Sequence, residues 1–308
     1  GVDSVLVFSV DPDSAVYRVY FEYVGSGNGD YVLDEYNALG KVYRWVAPVS
    51  GISQGDYVPS RSIITPKKQQ MFSSGMKWGY SKNSTIETEW AFSNNDVNTF
   101  SSLASKDNLG YSNRTRWINN KPFGMSDSVH LWNLKTKAEI EYLSSDFTPV
   151  QQYRTVEFDR DWNTRNKGYR GNQLIGILGS ELRHKKHGYF GLDAQYFGLG
   201  DDYKGNRIFS LGKWNQEGWS LNWDASYLSA QAESESKFFR HRMDISRVLG
   251  PIKIGYKDDH ERNRYIGDTN VTDPSYEFFD YQFYISNHDT STMEYKLYYR
   301  ERFDRRIK

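Results

Sequence analysis

The most constraining feature of this sequence is a period-two alternation of apolar and polar residues, which begins near residue 75 and continues toward the end of the chain. The segment 130–143 is the longest example, and its apolar positions are separated by Lys135, Lys137, Glu139 and Glu141. Because successive side chains of a strand point to opposite faces, each such segment predicts an amphipathic β-strand. Short polar links separate the segments, so we expect about a dozen strands in an antiparallel meander and no helix.

The lengths of these segments favour one class of all-β protein. A strand that crosses a membrane needs about 9–11 residues, whereas strands of soluble proteins usually have about 5–6. Several segments approach the longer value: 188–198, 219–229, 237–248, 277–287 and 292–302. Aromatic residues make up 16% of the chain and lie at the ends of several apolar faces, as they do in membrane barrels. The sequence therefore predicts an up-and-down β-barrel of the outer-membrane type, or part of one.

The barrel hypothesis assigns the two sides of the strands to two environments. The apolar side would meet lipid, and its candidate residues are Trp132, Ile140, Tyr142, Phe190, Leu192, Tyr196, Trp219, Leu221, Trp223 and Phe283. The charged side would line a water-filled lumen, and its candidates are Lys135, Glu139, Asp159, Asp161, Asp193, Asp224 and Asp280. We expect Asp159 and Asp161 to lie on one face of a strand, about 6.5–7 Å apart. A β-sandwich with one wet face would show the same alternation, so this alternative stays open.

The first 70 residues differ from the rest and predict a small N-terminal β-region, with the barrel strands at 71–308. Two copies of the sequence Gly-Asp-Tyr-Val occur in this region, at 29–32 and 55–58, and each follows a turn that contains Gly or Ser. Such a recurrence predicts two copies of a small β-unit.

Composition and motifs argue against several functions. The chain has 39 Lys and Arg against 39 Asp and Glu, whereas nucleic-acid-binding domains carry a basic excess. It has no Cys and therefore no thiolate nucleophile, and its six His form no metal-binding motif. The acidic clusters 201–202 and 258–261 are predicted as solvated turns. No run of about 18 apolar residues predicts a membrane-spanning helix. We expect no cofactor, no metal and no enzymatic reaction.

Several stretches resemble a known group of bacterial proteins. These are Gly55–Pro59, Pro66–Gln70, Glu89–Leu103, Asp107–Gly110 and Val156–Asn163. They are similar to large, mostly uncharacterised surface proteins of Bacteroidota, in which a β-rich region precedes a long outer-membrane barrel. The resemblance implies a location in the cell envelope and brings no catalytic residues, and a link to type IX secretion rests on analogy alone. Such barrels commonly end on an aromatic residue, whereas this sequence ends at Lys308, so we expect a continuing barrel or a chain that is not an independent one.

Two functional hypotheses follow. The first is a non-enzymatic protein of the bacterial outer membrane, with a structural, transport or partner-docking role, in contact with membrane lipid and other envelope proteins. The second is a soluble, secreted or surface-exposed all-β binding protein that takes glycans, because Trp214, Trp219 and Trp223 lie close together in the sequence. Folding in water without detergent would separate the two.

Overall fold

The computed structural model describes residues 5–38, 40–61, 64–103, 105–126, 129–165, 167–266, 275–287 and 293–307. The chain divides into two compact units, Gly1–Pro66 and Lys67–Lys308. The boundary predicted from the sequence was residue 70, so the first strand of the second unit begins slightly earlier than the change in composition suggests.

The first unit contains a small antiparallel sheet of four strands, in the order β1-β4-β2-β3. The strands are β1 (Glu22–Tyr23), β2 (Tyr31–Asn37), β3 (Gly40–Trp45) and β4 (Tyr57–Val58). The two Gly-Asp-Tyr-Val units pair with each other, because Tyr31 lies opposite Tyr57 and Gly29 forms a bridge with Gly55. The repeat thus provides both sides of one contact.

The second unit contains one sheet of twelve strands, each hydrogen-bonded in antiparallel fashion to its neighbours in sequence. The strands are β5 (Lys68–Gly79), β6 (Ser84–Asp96), β7 (Leu109–Ser126), β8 (Val129–Leu143), β9 (Gln173–His184), β10 (Gly188–Leu199), β11 (Tyr203–Gln216), β12 (Trp219–Gln231), β13 (Glu235–Leu249), β14 (Ile252–Ile266), β15 (Tyr276–Asn287) and β16 (Lys296–Arg306). The predicted all-β antiparallel meander is confirmed. Over the described residues the sheet is open, with β5 and β16 at its two edges.

Tight turns set the register of the hairpins. Glu217 and Gly218 connect β11 to β12 and both have positive φ, 49° and 80°, which is the conformation of a type I′ turn. Its twist matches that of paired strands, so the register continues without a break from Gln216 opposite Trp219 to Lys204 opposite Gln231. With a regular register of this kind, the even-numbered residues of a strand lie on one face of the sheet and the odd-numbered residues lie on the other.

The two faces of the large sheet differ sharply in composition. We call one the apolar face; it carries Trp132, Leu192, Trp223 and Phe283, which follow from the strand registers. We call the other the strap face, because the 29-residue link between β8 and β9 lies across it. That link, residues 144–172, is named the strap and contains a single helical turn, α1 (Phe158–Asp161).

The buried core of the second unit lies on the strap face. It consists of Trp162 from the strap and of strand residues from β9 to β13: Ile175, Phe197, Leu199, Tyr203, Leu228, Ala230 and Phe238. The end of the sheet where the strap leaves β8 and enters β9 is called the strap end, and this core lies there. No helix in the part of the chain that the structure describes has the length and hydrophobicity needed to span a membrane.

Candidate functional site: the strap and the charged face beneath it

The strap is held to the sheet by apolar side chains. Trp162 is 3% exposed and its ring centroid lies 5.4 Å from that of Phe197. Phe158 stands one helical turn earlier and packs edge-on against the same ring at 5.3 Å. Tyr203 donates its hydroxyl hydrogen to the carbonyl oxygen of Trp162. These contacts place the strap on the centre of the core rather than at its rim.

The end of α1 provides a second anchor. Asn163 follows the helical turn with φ of 56°, a left-handed conformation that Asn tolerates and that commonly ends a helix. Its amide nitrogen donates to the Ser236 hydroxyl at 3.1 Å. Its amide oxygen accepts from the Asn263 amide at 3.0 Å and from the Tyr265 hydroxyl at 3.1 Å. One side chain therefore connects the strap to both β13 and β14.

Ion pairs connect the strap to strands that are distant in sequence. Asp161 lies 3.1 Å from Arg207 of β11 and 3.6 Å from Arg240 of β13, and both arginine side chains are largely buried. The two guanidinium groups thus share the carboxylate of Asp161. If the strap moved away from the sheet, both would lose this counter-charge.

Two further arginines of the strap pair with strand carboxylates. Arg154 lies 2.6 Å from Glu141, and Arg160 pairs with Glu261. Partial burial acts against the charge of Arg160, but the carboxylates of Glu261 and Glu157 outweigh it and hold the pKa of this guanidinium above its ordinary value. Arg160 therefore stays charged at physiological pH.

The structure corrects the prediction for Asp159 and Asp161. Both lie in α1 and not on a strand, so they do not share one face of a strand. Asp161 points to Arg207 and Arg240, whereas Asp159 accepts only a local hydrogen bond from the Thr164 hydroxyl, at 3.3 Å. The physical reason is that Phe158 and Trp162 both bury against Phe197, which requires the four-residue spacing of a helix.

The other candidate lumen residues lie on the strap face, where most of them form ion pairs across strands. Glu139 pairs with Arg114 at 2.9 Å, Asp193 with Lys137 at 2.8 Å, and Asp224 accepts three hydrogen bonds from Arg242 at 2.9, 3.0 and 3.2 Å. Asp280 pairs with Arg300, and Lys135 lies opposite Glu181. A cleft of about 690 Å³ on this face is lined by Asp224, Arg242, Asp259 and Arg300, among others. Most of the charged candidates on this face are therefore held in ion pairs.

The ten candidate lipid-facing residues all lie on the apolar face, as the strand registers show. Large side chains of this face remain uncovered: Leu178 is 66% exposed, Ile208 57%, Phe283 54% and Leu192 43%. Trp214, Trp219 and Trp223 also share this face, but each has a different neighbour: Trp132, Arg247 and Phe190. They do not stack on one another.

Sequence reasoning missed several residues of the site. Arg207, Arg240 and Glu261 were not singled out as partners of the strap, and the segment 258–261 was predicted as a turn but lies within β14. The spacing of Phe158 and Trp162 was the available signal for α1, although four residues are too few for a periodic pattern. Over the described ranges, no group of three or more acidic, His or Cys side chains is arranged to hold a metal ion.

The comparisons with known proteins add no assignment to this geometry. The chain matches no family model, and the comparison with curated proteins returns no match.

Proposed function

We propose that the second unit forms the wall, or part of the wall, of a β-barrel in a bacterial outer membrane, and that it has no enzymatic role. The apolar face contacts lipid acyl chains. The strap face lines an aqueous interior, and the strap occupies that interior at one end. The first unit is a separate small β-module that precedes this wall in the chain.

One observation carries the proposal: the sheet buries its core on the strap face and leaves the apolar face uncovered along all twelve strands. Exposed side chains of this face include Phe72 on β5 and Phe303 on β16, the two edge strands. Soluble proteins rarely expose contiguous apolar patches larger than a few hundred Å², roughly. An acyl-chain environment removes this penalty for the exposed aromatic and aliphatic side chains of the face, because they are as apolar as the lipid around them.

The strap face supports the same proposal from the other side. Many of its charges are paired across strands, and Arg242 and Arg300 remain about half exposed. A charged lumen surface of this kind is typical of membrane barrels, whose strands alternate apolar-out and polar-in. A strap that crosses this face would narrow the interior, which suits a structural or docking role.

The test compares two arginine substitutions in the full chain. Leu192→Arg places a charge in the middle of the apolar face, and Asn222→Arg places one on the exposed strap face. In lipid the first change costs about 2–4 kcal/mol and the second almost nothing. In water both sites are exposed, and each change would cost less than about 0.5 kcal/mol.

The measurement is folding into lipid vesicles, followed by the gel mobility of unheated samples and by urea titration. We expect Leu192→Arg to fold poorly and Asn222→Arg to fold like the parent chain. Equal behaviour of the two variants, or a folded parent chain in water without detergent, would overturn the proposal and favour the soluble binding protein.

A further inference from the structure

At the strap end of β11 to β14, the apolar face carries charged side chains as well as apolar ones. There it carries four cationic side chains, which we call the basic strip: Lys204 on β11, Lys237 on β13, and Arg262 and Arg264 on β14. Three of them are exposed, and the Lys237 side chain is 43% exposed. The strip lies on the same side of the sheet as the apolar residues, which the registers of β11 to β14 establish.

Nearby carboxylates do not neutralise the positive charges of the strip. Lys237 lies directly opposite Arg264 on the adjacent strand, and like charges in this position repel each other. Lys237 has a 3.4 Å contact with Glu235. Among the described residues, Lys204, Arg262 and Arg264 have no carboxylate within ion-pair distance.

Among the described residues, the carboxylate that faces Arg262 across the strands already has two other partners. Glu277 lies opposite Arg262, but its carboxylate binds Arg305 on one side and His260, at 2.8 Å, on the other. Glu277 therefore acts on Arg262 only through space, while its hydrogen bonds go to Arg305 and His260. The four cations of the strip outnumber the two described carboxylates beside them, Glu235 and Glu277.

The strip adjoins the apolar residues without a gap. One cross-strand row runs from Ile208 through Tyr227 and Phe239 to Arg262, so an apolar side chain and a guanidinium group are direct neighbours. Neighbouring strands are about 4.8 Å apart, so the strip extends over about 14 Å from β11 to β14. Such a surface complements an amphiphile that has apolar chains next to an anionic head.

We propose that the basic strip binds the phosphate groups of anionic lipids whose acyl chains lie against the apolar face below it. This inference rests on the proposed membrane location and goes beyond it, because it assigns a lipid class and the residues that select it. Arginine and lysine bind phosphate oxygens through charge-assisted hydrogen bonds. The apolar row beside Arg262 favours a lipid head over a free phosphate ion.

The test uses native mass spectrometry of the detergent-solubilised full chain with an equimolar mixture of phosphatidic acid and phosphatidylcholine. The variant Lys204→Gln/Arg262→Gln/Arg264→Gln removes three cations without breaking an ion pair between described residues. The matched control is Lys213→Gln/Lys253→Gln/Arg306→Gln, which removes three cations from the strap face. Each cation near an anionic lipid surface changes affinity by about fivefold.

We expect the parent chain and the control to bind phosphatidic acid preferentially, and the strip variant to lose at least about tenfold of this preference. Equal loss in the control, or displacement of the lipid by inorganic phosphate, would overturn the inference. A chain that folds into vesicles but binds both lipids equally would also overturn it while leaving the membrane proposal intact. A chain that is folded in water and binds neither lipid would contradict both.

Discussion

Gly29 and Gly55 lie opposite each other, and each donates its backbone N–H to the carbonyl oxygen of the other, at 2.9 and 2.8 Å. The next residues repeat the pattern, since Asp30 N–H donates to the Tyr57 carbonyl and Asp56 N–H to the Tyr31 carbonyl. The two Gly-Asp-Tyr-Val units are therefore related by a local two-fold arrangement. Glycine is required because a Cβ at residue 29 would lie 2.4 Å from the Tyr57 oxygen, and one at residue 55 would lie 2.5 Å from the Tyr31 nitrogen.

This close approach predicts that Gly29→Ala and Gly55→Ala each destabilise the first unit by about 3 kcal/mol, the upper range for overpacking. The clash is with backbone atoms, which cannot rotate away as a side chain can. Hydrogen–deuterium exchange of peptides from β2 and β4 measures the effect in the full chain, and both variants should exchange faster.

The matched control is Gly79→Ala, at a strand glycine where a Cβ would meet no atom within 4 Å. It should leave exchange in the first unit unchanged. If Gly29→Ala also leaves exchange unchanged, the two Gly-Asp-Tyr-Val segments do not pair in solution.

We expect the loss of the Trp162 side chain to weaken the attachment of the strap strongly. Trp162→Ala removes the most buried strap side chain and leaves a cavity against Phe197, at a cost of about 3–5 kcal/mol. We expect trypsin to cleave the variant faster after Arg154 and Arg160, because a detached strap exposes its backbone. Val156→Ala is the control, since Val156 belongs to the same strap and is exposed. Equal cleavage of the two variants would contradict the anchoring role.

The strands were predictable from the sequence because their signal is local. Every apolar residue that the alternation assigned to one side lies on one face, from Trp132 on β8 to Phe283 on β15. Strand ends were less certain: the last strand was predicted at 292–302, whereas it spans Lys296–Arg306. The side that each residue faces follows from alternation along the strand and not from where the strand ends, so the error left the sidedness intact.

The strap was not predictable, because its partners are far away in sequence. Arg160 and Glu261 are about a hundred residues apart, and no local pattern connects them. The alternation of charges in 159–162 also imitates a strand. Only the fold brings β11, β13 and β14 under one helical turn, and only then does Asp161 acquire a role that Asp159 lacks.

Among the ion pairs of the strap, we expect the loss of the Asp161 carboxylate to lower stability most clearly. Asp161→Asn leaves Arg207 and Arg240 largely buried without a shared carboxylate. Removal of one member of a fully buried ion pair costs about 3–5 kcal/mol, and since Asp161 is partly exposed we expect about 2 kcal/mol. Faster hydrogen–deuterium exchange in α1 and in the strap end of β11 would reveal it.

Asp159→Asn is the control for this prediction, because Asp159 lies in the same helical turn and, among the described residues, its carboxylate bonds to Thr164 and to no arginine. It should leave exchange nearly unchanged. Similar destabilisation by both variants would indicate a general effect of negative charge in α1 rather than the specific contact with the two arginines.

A substitution at Gly212 tests how tightly the side chains of the apolar face are packed. The indole ring of Trp223 lies over Gly212 on the neighbouring strand, and a Cβ at residue 212 would be 2.2 Å from the ring. Gly212→Ala must therefore displace Trp223 from its contact with Phe190, whose ring centroid is 5.7 Å away, at a cost of about 1–3 kcal/mol. Tryptophan emission during urea unfolding in detergent measures both the displacement and the cost.

Gly176→Ala on the same face is the control, because a Cβ there would meet its nearest atom at 3.9 Å. An unchanged emission maximum and unfolding midpoint in Gly212→Ala would mean that Trp223 does not lie over Gly212 in the folded protein.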